Sequence, residues 1–292
     1  MSSYSRIGVV TGANKGIGLA IVRQLALQYP KSPLCDGSFL IYLTARDQSR
    51  GEEALENLQR DAQLKRATAL KADGGLVEIK FHALDVTDDT SVKTFTKYLR
   101  ETHSNGIDLV INNAGIAMNG FDSNVVRTTL HCNYYSTLSV SRAFIPLLKS
   151  NARLVNVAST SGSLSKYSAS VRHRFLTAKN ESDVTSIMQD FQAAVDAGKE
   201  KESGYPSAAY AVSKAGLIGG TRALALELES KGSDVLVNSC CPGYVNTDMT
   251  KGNGTKAPDD GASTPVWLGL QDFERKTGSF YKEERDVEWE DL

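Results

Sequence analysis

The sequence predicts an α/β protein with a doubly wound parallel sheet of about seven strands and helices on both faces. Apolar runs of strand length alternate with longer stretches of helical periodicity along nearly the whole chain, a pattern typical of parallel sheets. The strand runs are apolar on both faces, as in Leu109–Ile111, which indicates that helices cover each side. A glycine-rich turn follows the first run, where α/β sheets of this kind bind ligands.

Each predicted strand is a short apolar run, and each predicted helix fills the interval to the next run. The strands are Arg6–Thr11, Phe39–Thr44, Val77–Leu84, Ile107–Asn112, Arg153–Ala158, Val235–Cys240 and Gly278–Tyr281. The helices are expected near residues 16–28, 48–66, 88–103, 122–149, 208–230 and 259–270. Residues 1–292 are expected to form one domain with a helical insertion at about 163–205. The last ten residues hold six acids, which favours a solvated tail.

Composition excludes several classes of partner. The chain has 292 residues, with 33 basic against 34 acidic side chains, so no charge pattern indicates a nucleic-acid or anionic membrane partner. No apolar run reaches the roughly 18 to 20 residues that span a bilayer, and no signal peptide precedes the first strand. Four cysteines and four scattered histidines favour neither disulfides nor a metal site. We therefore expect a cytoplasmic protein that binds no metal.

The turn after the first strand has three glycines in a GxxxGxG spacing, a wider variant of the dinucleotide-binding fingerprint. Glycines there let backbone N–H groups approach a pyrophosphate at a helix N-terminus. This interpretation makes the sheet Rossmann-like; the alternative is an ordinary tight turn without a ligand. The residues expected to bind the cofactor here are Gly12, Asn14, Lys15, Gly16, Ile17 and Gly18.

The end of the second strand predicts which dinucleotide is bound. Arg46 follows that strand and could form a forked contact with a 2′-phosphate, to which Lys15 could add a second positive charge. The sequence therefore favours NADP(H). Asp47 is a competing signal because an acid at this position can bind the ribose hydroxyls of NAD. Arg46 could also be a solvated charge at the start of a helix.

Three further motifs occur in a fixed order along the chain: Asn112–Gly115, Ser159 and Tyr210–Lys214. Together with the glycine turn they resemble the short-chain dehydrogenase/reductase family. Several stretches resemble the monomeric NADPH-dependent carbonyl reductases of that family: Thr44–Asp47, Val155–Val157, Cys240–Gly243, Thr247–Met249 and Thr264–Val266. The resemblance extends from Arg6 to about Tyr281.

Tyr210 and Lys214 lie one helical turn apart, so both project from one helix face. A nearby ammonium should lower the phenol pKa from about 10 and make Tyr210 a better acid–base group. The resemblance implies that Tyr210 donates the proton, that Ser159 polarises the carbonyl, and that Lys214 anchors the cofactor. It also implies that Asn133 supports a proton relay. The alternatives are a surface Tyr–Lys pair, Ser161 or Ser163 in place of Ser159, and a structural amide at Asn133.

The same resemblance implies further cofactor contacts. Asp85 would bond the adenine amino group, the Asn112–Gly115 turn would lie under the adenosine ribose, and the turn after the sixth strand would hold the carboxamide. Bland alternatives are a helix N-cap at Asp85, a packing turn at 112–115 and a simple Pro-Gly turn. The complete set adds Arg46, Asp85, Val86, Asn112, Ala114, Gly115, Tyr210, Lys214, Pro242, Gly243, Val245 and Thr247 to the glycine turn.

The insertion contains one apolar helical stripe: Val184, Ile187, Met188, Phe191 and Val195. Asn180 or Ser182 is a reasonable N-cap. The resemblance implies that such an insertion covers the face other members use to dimerise, so a monomer is expected; a dimer-forming arm is the alternative.

The sequence thus predicts NADPH-dependent reduction of ketones, aldehydes or dicarbonyls, which are small-molecule carbonyl substrates. One alternative is an NAD-dependent alcohol or hydroxysteroid dehydrogenase. Another is a non-catalytic NADPH-sensing regulator that contacts a protein partner. Tyr244 stands where similar enzymes often carry Trp, and Thr160 and Ser161 replace bulkier residues. These departures predict a more open or more polar pocket.

Overall fold

A computed structural model describes residues 4–273 and 276–292 of the chain. Within these ranges eight strands form one sheet in the order β3-β2-β1-β4-β5-β6-β7-β8. The strands are β1 Arg6–Val10, β2 Phe39–Ala45, β3 Val77–Ala83, β4 Ile107–Asn112, β5 Leu148–Val157, β6 Leu236–Cys241, β7 Phe280–Lys282 and β8 Arg285–Asp286. The strands from β3 to β7 run parallel, and β8 pairs antiparallel with β7. The doubly wound α/β fold is confirmed, with one strand more than expected.

Ten α-helices of the described chain surround the sheet. They are α1 Gly16–Gln28, α2 Gln48–Gln59, α3 Ala62–Arg66, α4 Asp89–Thr102, α5 Ser123–Leu130, α6 Thr137–Phe144, α7 Ala169–Thr177, α8 Glu181–Asp196, α9 Ala209–Ser230 and α10 Pro258–Leu270. The predicted helix 48–66 is two helices, because Asp61 accepts hydrogen bonds from Gln63 and Leu64 and starts α3. The predicted helix 122–149 was too long: a π-helical turn joins α5 to α6, and a short turn containing Pro146 precedes β5.

The helices cover both faces of the sheet, as the apolar strands predict. Leu25 of α1 and Val266 of α10 are buried on one face, and Phe95 of α4 and Leu224 of α9 are buried on the other. β1 pairs with both β2 and β4, so the winding reverses between β1 and β4. Ligands bind at the carboxyl ends of the strands beside such a reversal. Across residues 4–273 and 276–292, no helix is long and apolar enough to cross a membrane.

The insertion forms helices α7 and α8. The apolar stripe of α8 is buried against neighbouring helices, and the Met188 sulfur would lie 2.6 Å from a Cβ atom placed on Gly216 of α9. This close approach brings α8 directly onto the α9 backbone. Asn180, one of the two proposed caps, accepts a 3.0 Å hydrogen bond from the Asp183 N–H.

The C-terminal residues do not form the solvated tail that their acids favour. After β8 the chain turns back, and Trp289 is only 6% exposed within a cluster that includes residues of α7, α8 and α9. Val287 and Leu292 pack at the edge of the same cluster. The prediction was wrong because it weighed charge and overlooked these three apolar side chains among the acids.

Candidate active site

The glycine turn connects β1 to α1 in the predicted place. Gly12 and Gly16 have φ values of +62° and +56°, in the left-handed region that glycine adopts without a Cβ penalty. A Cβ atom on Gly18 would lie 2.3 Å from the Gly12 carbonyl oxygen, so no side chain fits there. The N-terminus of the 13-residue helix α1 follows this turn, and its backbone N–H groups suit an anion.

Two residues outside the predicted set connect this turn to the end of β4. The Thr11 hydroxyl accepts hydrogen bonds from the N–H groups of Asn113 and Ala114, at 3.0 and 3.1 Å. The Asn113 side chain donates to the carbonyls of Thr11 and Gly12, both at 3.1 Å. The turn and the strand end are therefore held at a set spacing where the sheet reverses.

Lys15 contacts a loop that lies across from it. Its ammonium forms a 2.7 Å ion pair with Asp248, which follows Thr247 after β6. A Cβ atom on the neighbouring Gly16 would lie 3.3 Å from the Thr247 side chain. The glycine turn and the β6–α10 loop therefore meet, and the Lys15 ammonium is paired with Asp248 across them.

At the end of β2, Arg46 and Asp47 have different surroundings. Asp47 caps α2, because its carboxylate accepts a 2.8 Å hydrogen bond from the Arg50 N–H. Arg46, one residue earlier, is exposed. The Asp47 carboxylate, which could otherwise bind the ribose hydroxyls of NAD, is therefore engaged as a helix cap.

The adenine-side residues are placed at the ends of β3 and β4. Asp85 accepts hydrogen bonds from the backbone and hydroxyl of Thr87 at 2.9 and 2.7 Å, while Asp88 provides the cap of α4. The N-cap alternative for Asp85 is thus wrong. Val86, next to Asp85, is half-buried.

Asn112 faces the protein interior. Its amide donates to Ser141 and Asn156, at 3.0 and 2.9 Å, and Asn156 in turn donates to Thr221. The side chain therefore connects β4 to β5 and to the helices behind them. Within the 112–115 turn, Gly115 is the residue that faces the catalytic helix: a Cβ atom on it would lie 3.7 Å from the Lys214 nitrogen.

Ser159 and Tyr210 are brought into contact from two elements. Ser159 follows β5 and starts a short turn by accepting a 3.1 Å hydrogen bond from the Ser161 N–H. Tyr210 lies in the first turn of α9, and the Ser159 side chain is close enough to the phenol to lower its pKa. Of the rival serines, Ser163 instead contacts Ser165 and the Leu292 carbonyl.

Lys214 lies one turn along α9 from Tyr210, with its nitrogen 5.7 Å from the centre of the Tyr210 ring. It is 5% exposed and donates a 2.8 Å hydrogen bond to the Val157 carbonyl. Burial disfavours the charged ammonium and lowers the pKa of Lys214 to about 8. The Val157 carbonyl therefore orients the Lys214 ammonium toward the space beside Gly115.

The expected acidification of Tyr210 is not found. Burial raises the pKa of Tyr210 to about 12, and the nearby Ser159 side chain lowers it only in part. The reason is that burial disfavours the phenolate more than its neighbours stabilise it. Tyr210 is therefore a protonated phenol at neutral pH, an acid positioned beside a hydrogen-bond donor.

Asn133 lies in the π-helical turn between α5 and α6. Its amide nitrogen donates to the Ile116 carbonyl at 2.8 Å and to the Ser213 hydroxyl at 3.0 Å, and its oxygen accepts from the Ile116 N–H at 2.8 Å. The side chain therefore joins the β4–α5 loop to α9 beside Lys214. The relay role implied by resemblance stays a prediction.

The loop after β6 completes the edge of the site. Gly243 has φ +89° and donates its N–H to the Cys241 sulfur at 3.3 Å, so the turn that begins at Pro242 is held against β6. Val245 is buried against Gly261 of α10. Farther along the loop, Lys251 donates a 3.1 Å hydrogen bond to Asn119 of the β4–α5 loop, which connects the two loops across the strand ends.

These donors suit a dinucleotide. Glycine-turn N–H groups and a helix N-terminus favour a pyrophosphate, and the buried Lys214 ammonium is a donor for ribose hydroxyls. The Ser159–Tyr210 pair has two hydroxyls for one carbonyl oxygen. The arrangement can thus hold a cofactor and protonate an alkoxide next to it.

The sequence analysis gave no individual role to several residues that hold the site together. Thr11 and Asn113 act through hydrogen bonds between β1 and β4, and Ser213 contacts Asn133. Each lies next to a predicted residue, so adjacency is the only signal that could have found them.

Comparisons with known proteins agree with this geometry. The short chain dehydrogenase family profile matches residues 6–172 and 193–258. Carbonyl reductase (NADPH) 1 of Bos taurus is 35% identical over 300 residues, 99% of this chain and 100% of that protein. Carbonyl reductase (NADPH) 3 of Rattus norvegicus is 35% identical over 279 residues, 92% of each chain.

Two solved structures are similar over nearly their whole length. Salutaridine reductase from Papaver somniferum has a TM-score of 0.78 and 27% identity, covering 94% of this chain and 99% of that one. Menthone neomenthol reductase from Mentha piperita has a TM-score of 0.73 and 26% identity, covering 96% and 99%.

Proposed function

Because the chain belongs to the short-chain dehydrogenase family, we propose that it reduces carbonyl compounds to alcohols with NADPH. The proposed substrates are small ketones, aldehydes and dicarbonyls. The observation that carries the proposal is the approach of the Ser159 side chain to the Tyr210 phenol, one helical turn from the buried Lys214. The names of the mammalian relatives, which specify carbonyl reduction with NADPH, support the same activity.

The glycine turn would hold the pyrophosphate of the cofactor, and Lys214 would bind the nicotinamide ribose. Thr247 and the Pro242–Val245 turn would hold the carboxamide end, as resemblance implies. Arg46 would bind the 2′-phosphate, a contact supported by its exposure and by the capping role of Asp47. When bound, NADPH supplies the hydride.

Proton transfer uses the chain's own groups. The carbonyl oxygen of the substrate accepts hydrogen bonds from Ser159 and Tyr210, which stabilise negative charge as it grows on that oxygen. Tyr210 then transfers its phenolic proton to the alkoxide. The Ser159 hydroxyl, which contacts Ser161 at 3.2 Å, must turn toward the substrate oxygen for this step.

The protonation state of Tyr210 supports reduction over the oxidative alternative. Reduction needs a phenol that is protonated before the step, whereas alcohol oxidation needs a phenolate base. Because burial raises the pKa of Tyr210 to about 12, the acid form is present across the neutral range. The regulator alternative gains no support, since a sensor needs no proton donor.

Replacing Tyr210 tests the proposed activity. Tyr210→Phe should lower kcat for ketone reduction by at least about 100-fold, the usual contribution of a general acid, while NADPH binding persists. NADPH oxidation at 340 nm with a panel of carbonyl substrates measures the rate, and cofactor fluorescence measures binding. Tyr98→Phe, on α4, is the matched control and should keep the parent rate. Unchanged reduction in folded Tyr210→Phe would contradict the proton donor.

We further propose that the protein is a monomer in the cytoplasm. Burial of the α8 stripe within the chain supports the monomer, because that apolar face already has a partner. Cys35, Cys132, Cys240 and Cys241 are free thiols, which fits a reducing compartment.

A further inference from the structure

Trp289 is buried beside the catalytic elements although it lies in the acidic C-terminal segment. Its ring packs 5.4 Å from Phe175 of α7, with the two planes at 71°. β8 and the turn that follows place it there, where Val287 donates a 2.9 Å backbone hydrogen bond to Phe280 of β7. The segment is thus anchored to the sheet on one side and inserts an indole on the other.

The indole N–H contacts the turn that carries Ser159. It donates a buried 2.8 Å hydrogen bond to the Gly162 carbonyl. Gly162 closes that turn, because its own N–H donates 3.0 Å to the Ser159 carbonyl. An indole nitrogen is only a donor and a backbone carbonyl only an acceptor, so this pair satisfies both buried groups. Trp289 is therefore connected to Ser159 through one residue.

The same turn and the same indole both pack on α9. A Cβ atom on Gly162 would lie 2.9 Å from the carbonyl carbon of Lys214 and from the Ala215 nitrogen, which leaves the turn pressed against the helix backbone. The edge of the indole would lie 3.2 Å from a Cβ atom on Gly219, one turn farther along α9. Trp289 thus contacts the serine-bearing turn and the helix that bears Tyr210 and Lys214.

We propose that Trp289 is a positioning residue for the reaction. By holding the Gly162 carbonyl and the Gly219 surface together, it keeps the turn that carries Ser159 next to the Tyr210 end of α9. Trp289 acts through this turn and contacts neither substrate nor cofactor. The proposal rests on the proposed function, in which both hydroxyls must reach one carbonyl oxygen.

Trp289→Phe tests this role because it keeps an aromatic ring and removes the N–H donor. We expect kcat for carbonyl reduction to fall about tenfold, since small displacements of catalytic groups have large effects on rate. The KM for NADPH should stay within about twofold, because the indole contacts Gly162 and Gly219 and none of the side chains proposed to bind the cofactor. Trp267→Phe is the matched control: Trp267 packs on Phe273 and Tyr281, and its replacement should leave both constants at the parent values.

Hydrogen exchange provides a readout that does not depend on activity. The peptide spanning residues 158–165 should exchange faster in Trp289→Phe than in the parent or in Trp267→Phe. If the parent reduces no carbonyl compound, the proposed function fails while the exchange result still tests the contact. If Trp289→Phe does not fold, Phe175→Leu loosens the indole from its other side and should also lower kcat. Parent kcat and parent exchange in either folded variant would overturn the proposal.

Discussion

Lys214 is the charged residue at the centre of the candidate site. Its ammonium is held by the Val157 carbonyl on one side and faces Gly115 on the other. The carbonyl orients the ammonium but carries no full negative charge that would stabilise it. Burial therefore lowers the pKa of Lys214 to about 8 from an ordinary value of about 10.4. The ammonium is therefore fully charged only below that pH.

The lowered pKa of Lys214 predicts how the reaction rate changes at alkaline pH. In the reductive direction the rate should be constant well below pH 8, reach half its maximum near pH 8 and fall further above it as Lys214 loses its proton, because Tyr210, with a pKa of about 12, keeps its own proton across this range. The kcat/KM for a ketone, measured from pH 6 to 10 by NADPH oxidation, should show one such ionisation.

Lys214→Arg assigns that ionisation. A guanidinium keeps its proton above about pH 12, so the residual rate of this variant should show no fall near pH 8. An alkaline limb that persists near the parent value would assign the ionisation to another group.

At the scale of elements, the junction between β2 and α2 separates two roles in adjacent residues. Arg46 is exposed at the end of the strand, while Asp47 is engaged by the Arg50 N–H at the start of the helix. A carboxylate that caps a helix stabilises an otherwise unpaired N–H group. Cofactor choice and helix stability should therefore respond to different substitutions.

Arg46→Ala should weaken NADPH binding by about tenfold and leave NADH binding unchanged, because a charge-assisted contact with the 2′-phosphate is lost. Asp47→Ala, at the adjacent position, is the matched control. It should lower the free energy of unfolding by about 1 kcal/mol through loss of the cap without changing the ratio of NADPH affinity to NADH affinity. Cofactor titration and urea unfolding measure the two effects. A shift of the ratio in Asp47→Ala would assign Asp47 to the ribose.

At the scale of the whole molecule, the insertion determines which surfaces stay exposed. α8 lies on α9 and buries its apolar stripe, with Met188 seated at Gly216. Glycine at that position lets the two helices approach closely. Helix α9 therefore carries Tyr210 and Lys214 near its start and packs against α8 along its length.

We expect a single species of 31.6 kDa by sedimentation at micromolar concentration, since the apolar face of α8 is covered within the chain. The sedimentation coefficient should not change with protein concentration across this range. A species of twice that mass would contradict the monomer and favour the dimer-forming arm.

Features that depend on neighbouring residues were predictable. The glycine turn, the apolar strands and the one-turn spacing of Tyr210 and Lys214 all follow from local periodicity and backbone sterics. The start of β5 was not predictable, because Lys149–Asn151 are polar and lack the apolar pattern of a buried strand. Leu148 nonetheless pairs with Ile107 of β4. Pairing with a distant strand cannot be predicted from the local sequence pattern.

The order of residue types along the chain was enough to indicate the winding of the sheet, the place of the glycine turn and the two hydroxyls proposed to react. Folding alone decided their partners and protonation. Lys15 meets Asp248 across 233 positions, and Trp289 meets Gly162 across 127. The phenol of Tyr210 retains its proton because segments from distant parts of the chain enclose it. The burial of Tyr210 depends on all of these segments together, so it cannot be predicted from any short stretch of sequence.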